Sequence, residues 1–171
     1  MSTPEFSRPI DIRQAEGKHM RLEASKEECA ALARRFALVG VERLEAELTL
    51  TRTGNGAEAR GKLDAAIVQS CAISGEDLPV TISEPLFLRF VPAAEVQQLD
   101  EEIELAADDC DEMEFDGTMI DPGEAVAQSL ALAIDAFAVG PLAEEARRRA
   151  GIIGEDQTGP FAALAALKPK Q

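Results

Sequence analysis

The sequence predicts an α+β fold: an antiparallel sheet covered on its apolar face by two helices. Three observations carry this. Apolar residues recur with period two through most of 41–91, a capping signal opens a helix at Ser25, and a long apolar helix starts at Asp121.

Residues Pro4 to Ile12 read as an extended lead-in and His19 to Glu23 as a short strand. Ser25 and Glu28 have the S-x-x-E spacing in which each side chain satisfies a backbone donor of the first helical turn. Cys29, Leu32, Ala33 and Phe36 then fall on one stripe of a helix over 25–37, with Gly40 as its terminator. From Val41 the period changes. Leu44, Ala46, Leu48 and Leu50 alternate with Arg43, Glu45, Glu47 and Thr49, and Leu63, Ala65 and Ile67 alternate with Lys62 and Asp64. Thr53-Gly-Asn-Gly56 lies between the two runs, so they form a hairpin with its tip near Asn55. Glu76 and Asp77 beside Gly75 mark a turn, and a third strand follows with Ile82, Leu86, Leu88 and Phe90 on one face. Met113 to Asp116 reads as a short edge strand. The same strands also admit a partly closed barrel.

Asp121 is the expected N-cap of the second helix, 122–138, with Pro122 at its first position and Glu124 closing the capping pattern. Val126, Leu130, Ala133 and Phe137 line one side, and Leu132 and Ile134 make it apolar almost all round, which places it over the sheet. Gly140-Pro141 breaks it. A polar helix, 142–150, carries Arg147, Arg148 and Arg149 at its C-terminal end, where the helix dipole favours cations. One domain over 1–150, with a joint and apolar peptide over 151–171, accounts for the 171 residues.

Charge is distributed unevenly. The net charge is −15, yet residues before Val91 sum to −2 and those after Glu145 to +3. Sixteen carboxylates and no lysine or arginine lie between Phe90 and Ala146, most densely over 95–116. A block of this kind is ordinarily a solvated loop. Its sign repels phosphates and attracts cationic polypeptides. Seven Phe without Trp or Tyr leave few platforms for stacking bases.

Catalytic and metal signals are weak. His19 is the only histidine, so any nucleophile–histidine site would have to be built on it. Cys71 has Ser74 three residues on, so no C-x-x-C half-site exists, and the carboxylates of 108–116 do not follow a calcium-loop pattern. Gly54-Asn-Gly56 lacks the length and lysine of a phosphate loop. No enzyme activity, metal or cofactor is expected. Cys29, Cys71 and Cys110 form no disulfide framework, and the polar N-terminus is read as lacking a signal peptide. The apolar stretch 130–143 contains Asp135 and falls short of the ~20 residues a bilayer span needs. The expectation is a cytoplasmic protein that engages no membrane.

Three segments in order carry a family resemblance: Val68-Gln-Ser-Cys-Ala-Ile-Ser-Gly-Glu-Asp-Leu-Pro79 with Phe87-Leu-Arg-Phe-Val-Pro92, then 120–135, then Pro160-Phe-Ala-Ala-Leu-Ala-Ala-Leu-Lys168. With the acidic stretch between the first two, the set resembles the YceD family of bacterial and plastid proteins, from roughly Val41 to the C-terminus. Many relatives carry C-x-x-C in the first segment; this chain keeps only Cys71. The resemblance implies a non-enzymatic role in synthesis, processing or stability of the large-subunit 23S rRNA, and so in assembly of the large ribosomal subunit.

Charge then suggests how such a role works. Asp100, Glu101, Glu102, Asp108, Asp109, Asp111 and Glu112 would attract a basic ribosomal protein, and Phe161, Leu164 and Leu167 would supply an apolar anchor. The alternative is direct rRNA binding through Arg43, Arg52, Arg60 and Lys62 on the polar face of the hairpin. Glu42, Glu45, Glu47 and Glu58 interleave with those cations and dilute them.

Overall fold

A computed structural model describes residues 4–93 and 111–151. The expectations for 95–110 and for the C-terminal peptide beyond Gly151 lie outside the described residues. The fold is α+β; the described residues form a five-stranded mixed sheet, a two-stranded antiparallel sheet and three α-helices. The chain divides into two compact units, Met1–Gln69 with Pro79–Asp135, and Ser70–Leu78 with Ala136–Gln171.

In the first unit, β1 (Ile10–Asp11) pairs antiparallel with β7 (Met119–Ile120) and leads into a 3-10 turn, Ile12–Gln14. The large sheet has the order β2 (Lys18–Glu23), β3 (Gly40–Thr53), β4 (Gly56–Ser70), β5 (Asp77–Pro92), β6 (Asp111–Phe115). The hairpin loop is Gly54-Asn55, closed by the Thr53–Gly56 pair, and Gly54 has φ +60°. Two expectations need correction. The sheet is not wholly antiparallel, because β6 runs parallel to β5, with Leu88 opposite Asp111 and Pro92 opposite Phe115. It is also open: β2 and β6 form its two margins, so the described strands close no barrel.

Helix α1 (Lys26–Arg35) starts as the spacing requires. Ser25 Oγ accepts from the Glu28 amide at 3.2 Å, and Glu28 Oε2 accepts from the Ser25 amide at 2.8 Å. Its end differs from the expectation. Ala37, at φ +53°, turns the chain out, and the Leu38 amide donates to the Ala33 carbonyl at 2.9 Å. An alanine does this work of a left-handed cap, and Gly40 instead begins β3.

Helix α2 (Pro122–Ala133) opens on Asp121, whose Oδ1 accepts from the amides of Gly123 (3.0 Å) and Glu124 (3.1 Å). Asp121 also holds the N-terminal segment: the Arg8 amide donates to Oδ1 at 2.7 Å, and Ser7 Oγ donates to Oδ2. A Cβ on Gly123 would lie 2.5 Å from the Phe6 carbonyl oxygen, so only glycine admits this close crossing. The helix stops at Ala133, five residues before the expected end. Ile134 is extended (ψ 123°), and Gln69 Nε2 donates to the Asp135 carbonyl at 2.7 Å, which satisfies that group outside a helix. Phe137 therefore never joins the buried face and is 82 % exposed, while Leu132 points outward at 76 %.

The core contains Phe6, Leu32, Leu44, Leu50, Leu63, Ile67, Leu88, Val126 and Leu130, all nearly or wholly removed from water. Both helices contribute to it, as does the inward row of each long strand. In the second unit, the 70–78 turn is closed by the Cys71 amide donating to the Glu76 carbonyl (2.7 Å), and the Ala72 amide donates across to the Ala138 carbonyl of 136–142 (3.0 Å). They are followed by α3 (Ala143–Arg149), with Ala143 buried.

Candidate functional site

The outward face of the sheet gathers most of the hairpin's charge. Buried Leu44, Ala46, Leu48 and Leu50 point into the core, so Arg43, Glu45, Glu47 and Thr49 point out. Register sets Lys62 opposite Glu47 and Arg60 opposite Thr49, while β2 sets Arg21 opposite Glu47 and His19 opposite Thr49. His19, Arg21, Glu47, Thr49, Arg60 and Lys62 line an open groove of about 520 Å³. The Arg60 guanidinium lies 4.0 Å over the Phe87 ring.

These cations are paired. Arg21 and Arg43 each reach Glu45 at 3.6 Å, Arg60 reaches Glu58 at 3.5 Å and Lys62 reaches Asp64 at 2.9 Å. Arg89 bridges Glu58 (3.7 Å) and Glu112 (3.4 Å). Pairs this exposed contribute little stability, but they cancel the outward field. Arg43, Arg60 and Lys62 share the outward face; Arg52 does not. It has the parity of Leu48 and Leu50 and pairs with Ala57, on the other side of the sheet near the exposed tip. Its expected place beside the other three is therefore corrected. The Arg52 amide donates to Glu16 Oε2 at 2.9 Å.

His19 is exposed, with Nδ1 2.9 Å from Thr49 Oγ1. Asp111 and Glu112 are exposed on β6. Asp100, Glu101, Glu102, Asp108, Asp109, Phe161, Leu164 and Leu167 lie outside the described residues.

Sequence reasoning missed the environment of Cys71. The side chain is buried (4 % exposed), and its Sγ accepts from three backbone amides: Gly140 at 3.3 Å, Ser74 at 3.3 Å and Ile73 at 3.5 Å. The turn at 71–75 supplies two donors and the 138–140 segment the third. A Cβ on Gly140 would meet Glu76 Oε1 and Leu78 Cδ2, both at 2.5 Å, so a side chain there would open the arrangement. Amide donors favour the charged sulfur, and Gly140 and Ser74 are the leading causes that bring the thiol down to about 6. Cys29 is shifted the other way, upward, by burial on α1. No group of three or more His, Cys, Asp or Glu able to hold a metal exists among the described residues. Cys71 therefore has the chemistry of a stabilised thiolate that serves as an acceptor.

The sign of the pH effect follows. A thiol lower in the folded chain than in the unfolded one, where it titrates near 8.5, adds stability that is present above the unfolded value. That stability is lost as pH falls through about 6. Relative to Cys71→Ala, the natural protein is expected to gain in urea midpoint between pH 6 and pH 9, with native-state alkylation slow because the sulfur is buried. Parallel midpoints for the two proteins would show that the sulfur is not held as thiolate.

Comparison with protein-family models, curated proteins and solved structures gives no match. No helix among the described residues is long and apolar enough to cross a membrane.

Proposed function

We propose that the protein is a non-enzymatic cytoplasmic factor in ribosome biogenesis. It supports synthesis, processing or stability of 23S rRNA by binding a basic ribosomal protein through its acidic segment, with Phe161, Leu164 and Leu167 as the apolar anchor. The observation that carries this reading is the allocation of charge. The cations of the sheet face are engaged by Glu45, Glu58, Asp64 and Glu112, whereas sixteen carboxylates share 91–145 with no cation. Tight binding of bare RNA draws on cations free to displace counterions from phosphates. Binding of a cationic polypeptide draws on the opposite surplus, which speeds encounter and suppresses wrong partners.

Capture by the tagged full-length protein tests the proposal. At low salt it is expected to retain basic ribosomal polypeptides. Retention should fall at high salt and on joint replacement of Asp100, Glu101, Glu102, Asp108 and Asp109 by their amides, since exposed charges are screened beyond a Debye length of ~8 Å at physiological salt. Capture unchanged by both treatments, or steeply salt-dependent binding of naked 23S fragments without ribosomal polypeptide, would overturn it.

A further inference from the structure

The groove on the outward face of the sheet is not used by the recruitment function. Register sets its polar residues in two rows across β2, β3 and β4. His19, Thr49 and Arg60 form one row, and Arg21, Glu47 and Lys62 form the next, two residues along. Two strand spacings make this rectangle ~9.5 Å wide, and two residues make it ~7 Å long. The groove's volume, about 520 Å³, falls within the ~300–1,000 Å³ of small-molecule sites.

The arginines here differ from those that hold the fold together. Arg8 clasps Glu28 and Arg35 clasps Glu124, each through two N–H groups at 2.7 and 2.9 Å. Arg21 and Arg60 stand 3.6 and 3.5 Å from Glu45 and Glu58, outside the ~2.7–3.2 Å of an N–H···O bond. Neither guanidinium makes a hydrogen bond among the described residues, so both forks keep their donors for another acceptor. Arg60 is also held in place, 4.0 Å over the Phe87 ring. Glu47 faces Arg21 and Lys62 in the register, yet those cations turn to Glu45 and Asp64. The lining thus presents three fixed cations against one carboxylate.

The placement of charge selects a compact guest. Glu45, Glu58 and Asp64 neighbour the three cations but do not line the groove. A long polyanion running out of the groove would pass over them and be repelled, whereas a short anion stays among the cations. Guanidinium forks match phosphoryl oxygens in pairs, and two forks on opposite sides call for two adjacent sets of such oxygens.

We propose that the groove binds a small diphosphate ligand, with one phosphoryl group between Arg60 and Lys62 of β4 and the other on Arg21 of β2. The ligand is either inorganic pyrophosphate or the diphosphate of a nucleotide. Capture of basic polypeptides does not involve these residues, so either proposal can fail while the other stands.

Titration calorimetry of the full-length protein at low salt, with inorganic pyrophosphate and with ADP, tests the site. Saturable binding of one diphosphate per chain is expected. Arg21→Gln, Arg60→Gln and Lys62→Gln should each weaken it by about ten-fold, the loss of one charge-assisted contact. Glu47→Gln should tighten it several-fold, a gain that misfolding cannot imitate, and Arg148→Gln on α3 should leave it unchanged. ADP bound more tightly than pyrophosphate assigns a nucleotide; equal affinities assign the diphosphate alone. Absence of saturable binding at millimolar pyrophosphate would overturn the proposal, as would an affinity indifferent to the four groove substitutions. So would succinate bound as tightly as pyrophosphate. An RNA oligonucleotide bound more tightly than either diphosphate through the same residues would also overturn it, making the groove part of a nucleic-acid surface.

Discussion

Leu63→Ala is expected to lower the free energy of unfolding by about 3 to 5 kcal/mol, near the top of the range for a buried leucine. Leu63 is wholly buried on β4, third of five strands in the sheet, and its cross-strand partner on β3 is Ala46. The inward row of β4 around it is Ala57, Ala59, Ala65 and Ile67. Alanines held on paired strands cannot lean into the vacated space, so the cavity persists and its cost adds to the lost transfer energy. The urea midpoint should fall while the slope m stays constant, because the surface exposed on unfolding hardly changes. A loss under about 1 kcal/mol, the value of an ordinary substitution, would mean that the sheet closes around the gap.

The second large effect belongs to Asp121. Its carboxylate accepts two amides of the first turn of α2 and two donors from the N-terminal segment. Loss of a helix cap costs about 0.5 to 2 kcal/mol, and each further hydrogen bond contributes about 1 kcal/mol. Asp121→Ala is therefore expected to cost about 2 to 4 kcal/mol in all. Asp121→Ser, whose one oxygen can replace Oδ1 but leaves Ser7 without its Oδ2 acceptor, should recover all but the Ser7 share of about 1 kcal/mol. Hydrogen exchange checks the shared oxygen: the Arg8, Gly123 and Glu124 amides should all exchange faster in the alanine variant and stay protected in the serine variant. Equal stability of the serine and natural proteins would remove the Ser7 contact from the account.

The contrast between what the chain's pattern disclosed and what it concealed has physical causes. Alternation disclosed β3, β4 and β5 because one face of each is buried, and a single-residue slip would turn every leucine to water. Ser25, Glu28 and Asp121 were legible because a cap is a local contact between residues two or three apart. Parallel pairing of β6 left no mark, since strand alternation is the same in either direction. The end of α2 was hidden because no glycine or proline falls between Ala133 and Phe137, while the bond to the Asp135 carbonyl comes from Gln69. Ala37 carries no composition signal for its left-handed turn. Arg52 was misplaced because Thr51, Arg52 and Thr53 are polar at both parities near the tip, where alternation marks no face.

Of the candidate site, the outward set Arg43, Arg60 and Lys62 followed from parity alone, and the carboxylates that neutralise them were already visible between them. The Cys71 arrangement could not be read. Its donors are backbone amides, identical in every residue type but proline, and one of them comes from 69 positions away. The one available signal was glycine at 140, where the surrounding Glu76 and Leu78 leave no room for a side chain.

The margin of the sheet at β6 has a further consequence. Its exposed residues Asp111, Glu112 and Glu114 fringe an outermost strand whose backbone could otherwise template another molecule's strand. A fringe of like charge makes two such margins repel one another. The molecule is thereby guarded against polymerising with itself by the same sign of charge that would draw an oppositely charged guest.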